Sequence, residues 1–89
     1  MTRPWEADPE APFARRLGKT AKELGETKGR NGCPEIWQLG NGDVAVIGRD
    51  LTAAYAQRLP EGVTIAPDER LVVISGRMLG SAKPDIADA

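Results

Sequence analysis

The dipeptide Asn41-Gly42 stands between two β-prone runs, Glu35-Ile36-Trp37-Gln38-Leu39-Gly40 and Asp43-Val44-Ala45-Val46-Ile47-Gly48. Asn-Gly in that setting is the strongest short-range hairpin signal, because a type I′ turn requires positive φ at both central residues. A two-residue loop also sets the register. It places Leu39 opposite Val44, Trp37 opposite Val46 and Ile36 opposite Ile47. Side chains alternate along a strand, so Trp37, Leu39, Val44 and Val46 are expected on one apolar face, the core face. A slip of one residue would exchange the two faces.

Downstream, Asp50 is positioned to cap a short helix over 51–59, with Leu51, Tyr55 and Leu59 as its stripe and Pro60 as its stop. Val63-Thr64-Ile65 alternates as a short strand. Pro67-Asp68-Glu69 reads as a turn. Arg70-Leu71-Val72-Val73-Ile74-Ser75 is the most continuously apolar run and reads as a strand covered on both faces. Arg77-Met78-Leu79 reads as a further extended piece, and residues 83–89 as a polar tail. This order predicts an α+β fold: a small, mostly antiparallel sheet (hairpin 35–47, strands 63–65 and 70–75) with one short helix.

The N-terminal third differs in character. Residues 1–11 are rich in proline and charge and read as disordered. Over 12–26 the spacing predicts an amphipathic helix, with Phe13, Leu17, Ala21 and Leu24 on one stripe, Pro12 in the first turn and Gly25 just past the last. Gly18 weakens its middle by about 1 kcal/mol. Residues 27–33 read as a glycine-containing linker and 34–82 as the α+β domain. A core of that size rarely supplies more than about 3–5 kcal/mol without a staple. The helix is therefore expected either to dock on the sheet or to enter another chain. Trp5, Phe13, Leu17, Ala21 and Leu24 are the candidate partner-binding residues.

Composition removes several chemistries. The chain has no histidine and one cysteine, so Ser-His-Asp and Cys-His catalysis, HExxH zinc sites, disulfides and Cys₄ sites have no residues to build on. Cys33 reads as a lone thiol at the entry to a strand. Gly40-Asn41-Gly42 with Gly48 has neither Rossmann nor Walker spacing and reads as a turn. Asp43, Asp50, Asp68 and Glu69 each sit beside a turn or cap signal. No catalytic, cofactor or metal residue is assigned. A net charge of −1 argues against direct nucleic-acid binding, since such binding shows as a basic patch. Met1–Glu10 has no apolar signal run and no stretch suits a membrane span, so a cytoplasmic setting is expected.

Three stretches carry a resemblance: Gly32-Cys33-Pro34-Glu35-Ile36-Trp37-Gln38-Leu39 continuing into Gly42–Thr52, Pro67–Ile74, and Ala82-Lys83-Pro84-Asp85-Ile86. Over about residues 32–86 the chain resembles a group of short, uncharacterised actinobacterial proteins often encoded beside helix-turn-helix regulators. Eight Arg against four Lys fit a GC-rich source. The resemblance implies a regulatory accessory role and supplies no catalytic residue.

Three functional readings follow. The first is a non-enzymatic interaction module that binds a protein partner, such as a transcriptional regulator, or itself. A homodimer through an open sheet edge belongs to this reading. The alternative is an antitoxin- or inhibitor-like protein that blocks a partner enzyme. The third is a small carboxylate-dependent enzyme or ligand binder.

Overall fold

The Asn41-Gly42 segment does turn a hairpin, but not by the expected loop. In the computed structural model, which describes residues 4–27 and 33–86, strands β2 (Glu35–Leu39) and β3 (Val44–Ile47) pair antiparallel. Gln38 faces Val44, Trp37 faces Ala45, Ile36 faces Val46 and Glu35 faces Ile47. This register lies one residue from the expected one. The Leu39 N–H donates to the Asp43 carbonyl at 2.8 Å, and the Gly42 N–H to the Leu39 carbonyl at 3.0 Å. Gly42 has φ +93° whereas Asn41 does not have positive φ. The loop is therefore three residues, Gly40-Asn41-Gly42, a tight turn closed by one left-handed glycine, rather than a two-residue type I′ turn. The slip exchanges the faces. Ile36, Gln38, Val44 and Val46 share one side, and Glu35, Trp37, Ala45 and Ile47 the other. The core side is the one that carries Ile36, 3% exposed.

The expected helix over 12–26 is replaced by strand and turn. Phe13–Arg16 forms β1, which pairs antiparallel with β2 to complete a three-stranded sheet of order β1-β2-β3. Phe13 faces Leu39, Arg15 faces Gln38 and Arg16 faces Trp37, with Ala14 bulged out between them. The Leu17 N–H extends the ladder to the Ile36 carbonyl at 2.8 Å. Gly18, at φ +79°, then ends the strand. What survives of the helix is one turn. Thr20 and Glu23 exchange reciprocal capping bonds, the Glu23 carboxylate accepting the Thr20 N–H at 3.0 Å and the Thr20 hydroxyl the Glu23 N–H at 3.1 Å. Gly25, φ +73°, closes the other end as Gly25 N–H reaches Lys22 and Glu26 N–H reaches Ala21. The stop signal at Gly25 is local and holds, at the end of one turn in place of a helix. Leu17 and Phe13 are apolar at strand positions, and pairing with β2 outweighs a weak helical preference interrupted by Gly18.

The segment expected to be an extended piece and a polar tail folds as the longest helix. Gly76–Ile86 forms an eleven-residue helix, so much of 83–89 belongs to it, while 87–89 lie outside the described residues. Ser75 caps it: its hydroxyl accepts the Met78 N–H at 3.1 Å and donates to the Glu26 carboxylate at 2.7 Å. Gly76, Gly80 and Pro84 are poor helix formers, which conceals the helix in sequence. Packing holds it. Met78 and Ala82, one turn apart, are fully buried against Leu17, Ala21 and Ile36, with Leu24 and Ile74 packed around them.

The remaining chain is a small second unit. Arg49–Asp50 (β4) pairs antiparallel with Val72–Val73 (β5). Because β4 is two residues long, the expected strand over 70–75 shortens to two. Thr52–Tyr55 forms α1, and Gly76–Ile86 is α2. Leu51, and not the expected Asp50, is the N-cap residue and makes no side-chain capping bond; Asp50 lies one residue earlier, its carboxylate accepting both the N–H and the hydroxyl of Thr52 at 3.0 and 2.7 Å. The helix expected over 51–59 stops at Tyr55, where the chain tightens as the Arg58 N–H turns back to the Tyr55 carbonyl. Residues 63–65 are not a strand: the Val63 N–H closes a turn onto Pro60 and its side chain is exposed. The fold is α+β with an antiparallel sheet, as expected. Of the 27–33 linker, residues 28–32 lie outside the described residues, as do 1–3 of the N-terminal segment.

Candidate partner-binding surface

The structure divides the five candidate partner-binding residues. Leu17 and Ala21 are 1% exposed and form the core, and Leu24 packs against it. Phe13 and Trp5 are 62% and 61% exposed. A stripe drawn at helical spacing runs inward at 17 and 21 and outward at 13, because a strand sends alternate residues to opposite faces and the bulge at Ala14 redirects Phe13.

Phe13 joins a cluster on the sheet face opposite α2. Its ring meets the Trp37 ring edge-on at 5.5 Å between centroids. The Arg16 guanidinium lies over the Trp37 ring, 4.6 Å from its centroid. One carboxylate oxygen, Glu35 Oε1, accepts from the Trp37 indole N–H at 2.6 Å and from Arg16 Nη2 and Nε at 2.7 and 3.3 Å. The Trp37 hydrogen bond, followed by Arg16, holds the Glu35 carboxyl below its ordinary pKa. Ile47 completes a shallow concavity of about 270 Å³. Arg16, Trp37 and Glu35 were not among the sequence candidates. The two-residue register puts Trp37 in the core, and the helical spacing over 12–26 conceals β1. The one available signal was the i, i+2 spacing of Glu35 and Trp37, which puts them on one face of a strand.

The carboxylates Asp43, Asp50 and Glu69 are each tied to a local partner at a turn or a strand end. Asp43 accepts from Asn41 Nδ2 at 3.2 Å, Asp50 binds Thr52, and Glu69 accepts the Ala66 N–H at 2.8 Å. An open cleft of about 600 Å³ lies between α1 and the 63–70 loop, lined by Thr52, Leu59, Ile65, Glu69 and Arg70 among others. Arg70 is tied to the backbone carbonyls of Pro67 and Glu69 there. Among the described residues no group of three or more Cys, Asp or Glu is placed to hold a metal ion. No helix among them is long and apolar enough to cross a membrane. Cys33 is a free, half-buried thiol, 4.0 Å from the Ile47 carbonyl. No protein-family model, curated protein or solved structure matches the chain.

Proposed function

We propose that the chain is a non-enzymatic interaction module that binds a protein partner through the Phe13–Arg16–Trp37 face. A regulator is the partner class favoured by the resemblance noted above. The observation that supports this reading is a half-buried Trp37 and an Arg16 bonded to a single Glu35 oxygen, with a mostly exposed Phe13 set edge-on against the Trp37 ring. Trp and Arg dominate the energetics of protein interfaces, and their contribution is largest when the side chains are ordered before binding. Here the Glu35 bonds order them in the free chain. A polar rim of Arg16 and Glu35 around an aromatic centre also matches the anatomy of such surfaces.

The test is quantitative capture of partners from the native cell on immobilised wild-type chain and on Phe13→Asp. The reading predicts a specific protein retained by the wild type and lost, at least tenfold, with Phe13→Asp of unchanged circular dichroism. Equal retention of every protein by both forms would remove this face as the binding surface.

A further inference from the structure

The chain has two asparagines, Asn31 and Asn41, and each precedes a glycine. Asn41 is the one within the described residues, at the exposed tip of the β2–β3 hairpin. Its side-chain amide can be attacked by the next backbone nitrogen, because glycine has no side chain to shield that nitrogen. The surroundings are open too: a Cβ built on Gly42 meets nothing within 4 Å. The polar atoms that this reaction uses are all engaged by the turn. Asn41 Oδ1 accepts the Asp43 N–H at 3.0 Å, and Asn41 Nδ2 donates to Asp43 Oδ2 at 3.2 Å. The Gly42 N–H donates to the Leu39 carbonyl at 3.0 Å.

We propose that Asn41 is a site of spontaneous deamidation, restrained by the turn while it is closed and releasing the turn for good once it has occurred. In the first step the Gly42 nitrogen gives its proton to solvent and attacks Asn41 Cγ. The N–Cγ bond forms, the Cγ–Nδ2 bond breaks, and Nδ2 takes up a proton and leaves as ammonia. Water then adds to either carbonyl of the succinimide ring and opens its C–N bond, leaving aspartate or isoaspartate at position 41. Asp43 favours the carbonyl half of the first step, since its N–H faces Oδ1, where negative charge gathers. The nucleophile is the restrained half. Its N–H is held by Leu39, so attack waits on opening of the turn and its rate follows the open fraction.

The products do not fit the closed turn. Aspartate replaces the Nδ2 donor by an acceptor, and like charges then face each other where Asn41 and Asp43 were bonded. Isoaspartate runs the backbone through the former side chain and lengthens the loop by a carbon. Gly40 is pinned and does not absorb the extra length: its N–H donates to the Pro12 carbonyl at 2.8 Å, and a Cβ built on it falls 3.1 Å from the Pro12 ring. The displacement falls on Asp43, whose carbonyl accepts the Leu39 N–H at 2.8 Å and so sets the hairpin register. This inference does not rest on the Phe13–Trp37 face.

Peptide mapping by mass spectrometry tests it on the full chain, held in mildly alkaline buffer with and without guanidinium chloride. Fragmentation separates position 41 from position 31. The expected result is aspartate and isoaspartate at position 41 in both conditions, accumulating about tenfold more slowly, or slower still, in the native chain. The isoaspartate form, isolated by chromatography, should show the Leu39 and Gly42 amides exchanging about tenfold faster, or more, than in the unconverted chain. Absence of product at position 41 in either condition, or equal rates in the two, overturns the proposal. So does an isoaspartate form whose Leu39 and Gly42 amides exchange as slowly as those of the unconverted chain.

Discussion

Gly18 and Ala82 approach so closely that no side chain fits between them: a Cβ built on Gly18 falls 2.8 Å from the Ala82 nitrogen and 2.9 Å from its Cα. The Ser81 hydroxyl, 2.5 Å from the same point, also accepts the Lys19 N–H at 3.1 Å. The residue that weakens a helix over 12–26 is thus the residue that lets α2 lie against the end of β1. Gly25 has a similar φ but open space around it.

The pair gives a controlled comparison. Gly25→Ala should cost about 1 kcal/mol, for the left-handed backbone alone. Gly18→Ala adds a clash with backbone atoms that cannot move without shifting α2, and should cost about 2–4 kcal/mol. Chemical denaturation of the two variants checks the difference. Equal losses would mean that α2 does not seat at Gly18.

Glu35 should make stability depend on acid. Its folded pKa lies below the ordinary value of 4.5, so the unfolded chain binds the proton more readily. The stabilisation is present above about pH 4.5 and is lost as pH falls through the lower, folded value. Glu35→Gln removes the charge that Arg16 faces. It should lower stability at neutral pH by about 1 kcal/mol and flatten, without abolishing, the acid limb of a melting-temperature profile. Glu23 and Asp50 also have lowered values, held by Thr20 and Thr52, and keep the remainder. A limb of unchanged slope would show that the Glu35 bonds do not form.

Asp85 ties the end of α2 to the start of the chain. Its carboxylate accepts the Gly18 N–H at 2.6 Å, and its carbonyl accepts from Arg15 at 3.2 Å. Asp85→Ala leaves the Gly18 N–H without this acceptor and should cost about 1–2 kcal/mol. A polar tail with no structural part would tolerate the change, so an unaltered denaturation midpoint would restore that reading.

Particular residues show where sequence is informative here. Asn41-Gly42 announces a hairpin because a turn is decided within four residues. Whether its loop holds two residues or three turns on one φ at Asn41, and that detail decides whether Trp37 or Ile36 faces the core. Thr20, Gly25, Asp50 and Ser75 act through bonds two or three residues long, and of these Gly25 holds as a local signal while Asp50 binds Thr52 from one residue before the N-cap. The strand at Phe13–Arg16 and the helix at Gly76–Ile86 were not legible. Neither forms on its own preference: the first needs β2, 19 or more residues away, and the second needs Leu17 and Ile36 to cover Met78. The Phe13–Trp37–Arg16 cluster depends on the strand and the register together, so it emerges only after both.

The division of the apolar stripe between Leu17, inside, and Phe13, outside, is tested most directly by thermal melts of Leu17→Asp and Phe13→Asp. Burying a carboxylate in place of Leu17 should cost about 3–5 kcal/mol or more, enough to abolish a cooperative transition in a domain this small. Phe13→Asp gives up one edge-on contact with Trp37 and should cost about 1 kcal/mol, leaving a cooperative melt. A cooperative melt of wild-type midpoint for Leu17→Asp would contradict the account, because it would return residues 13–24 to a detachable segment that packs on another chain.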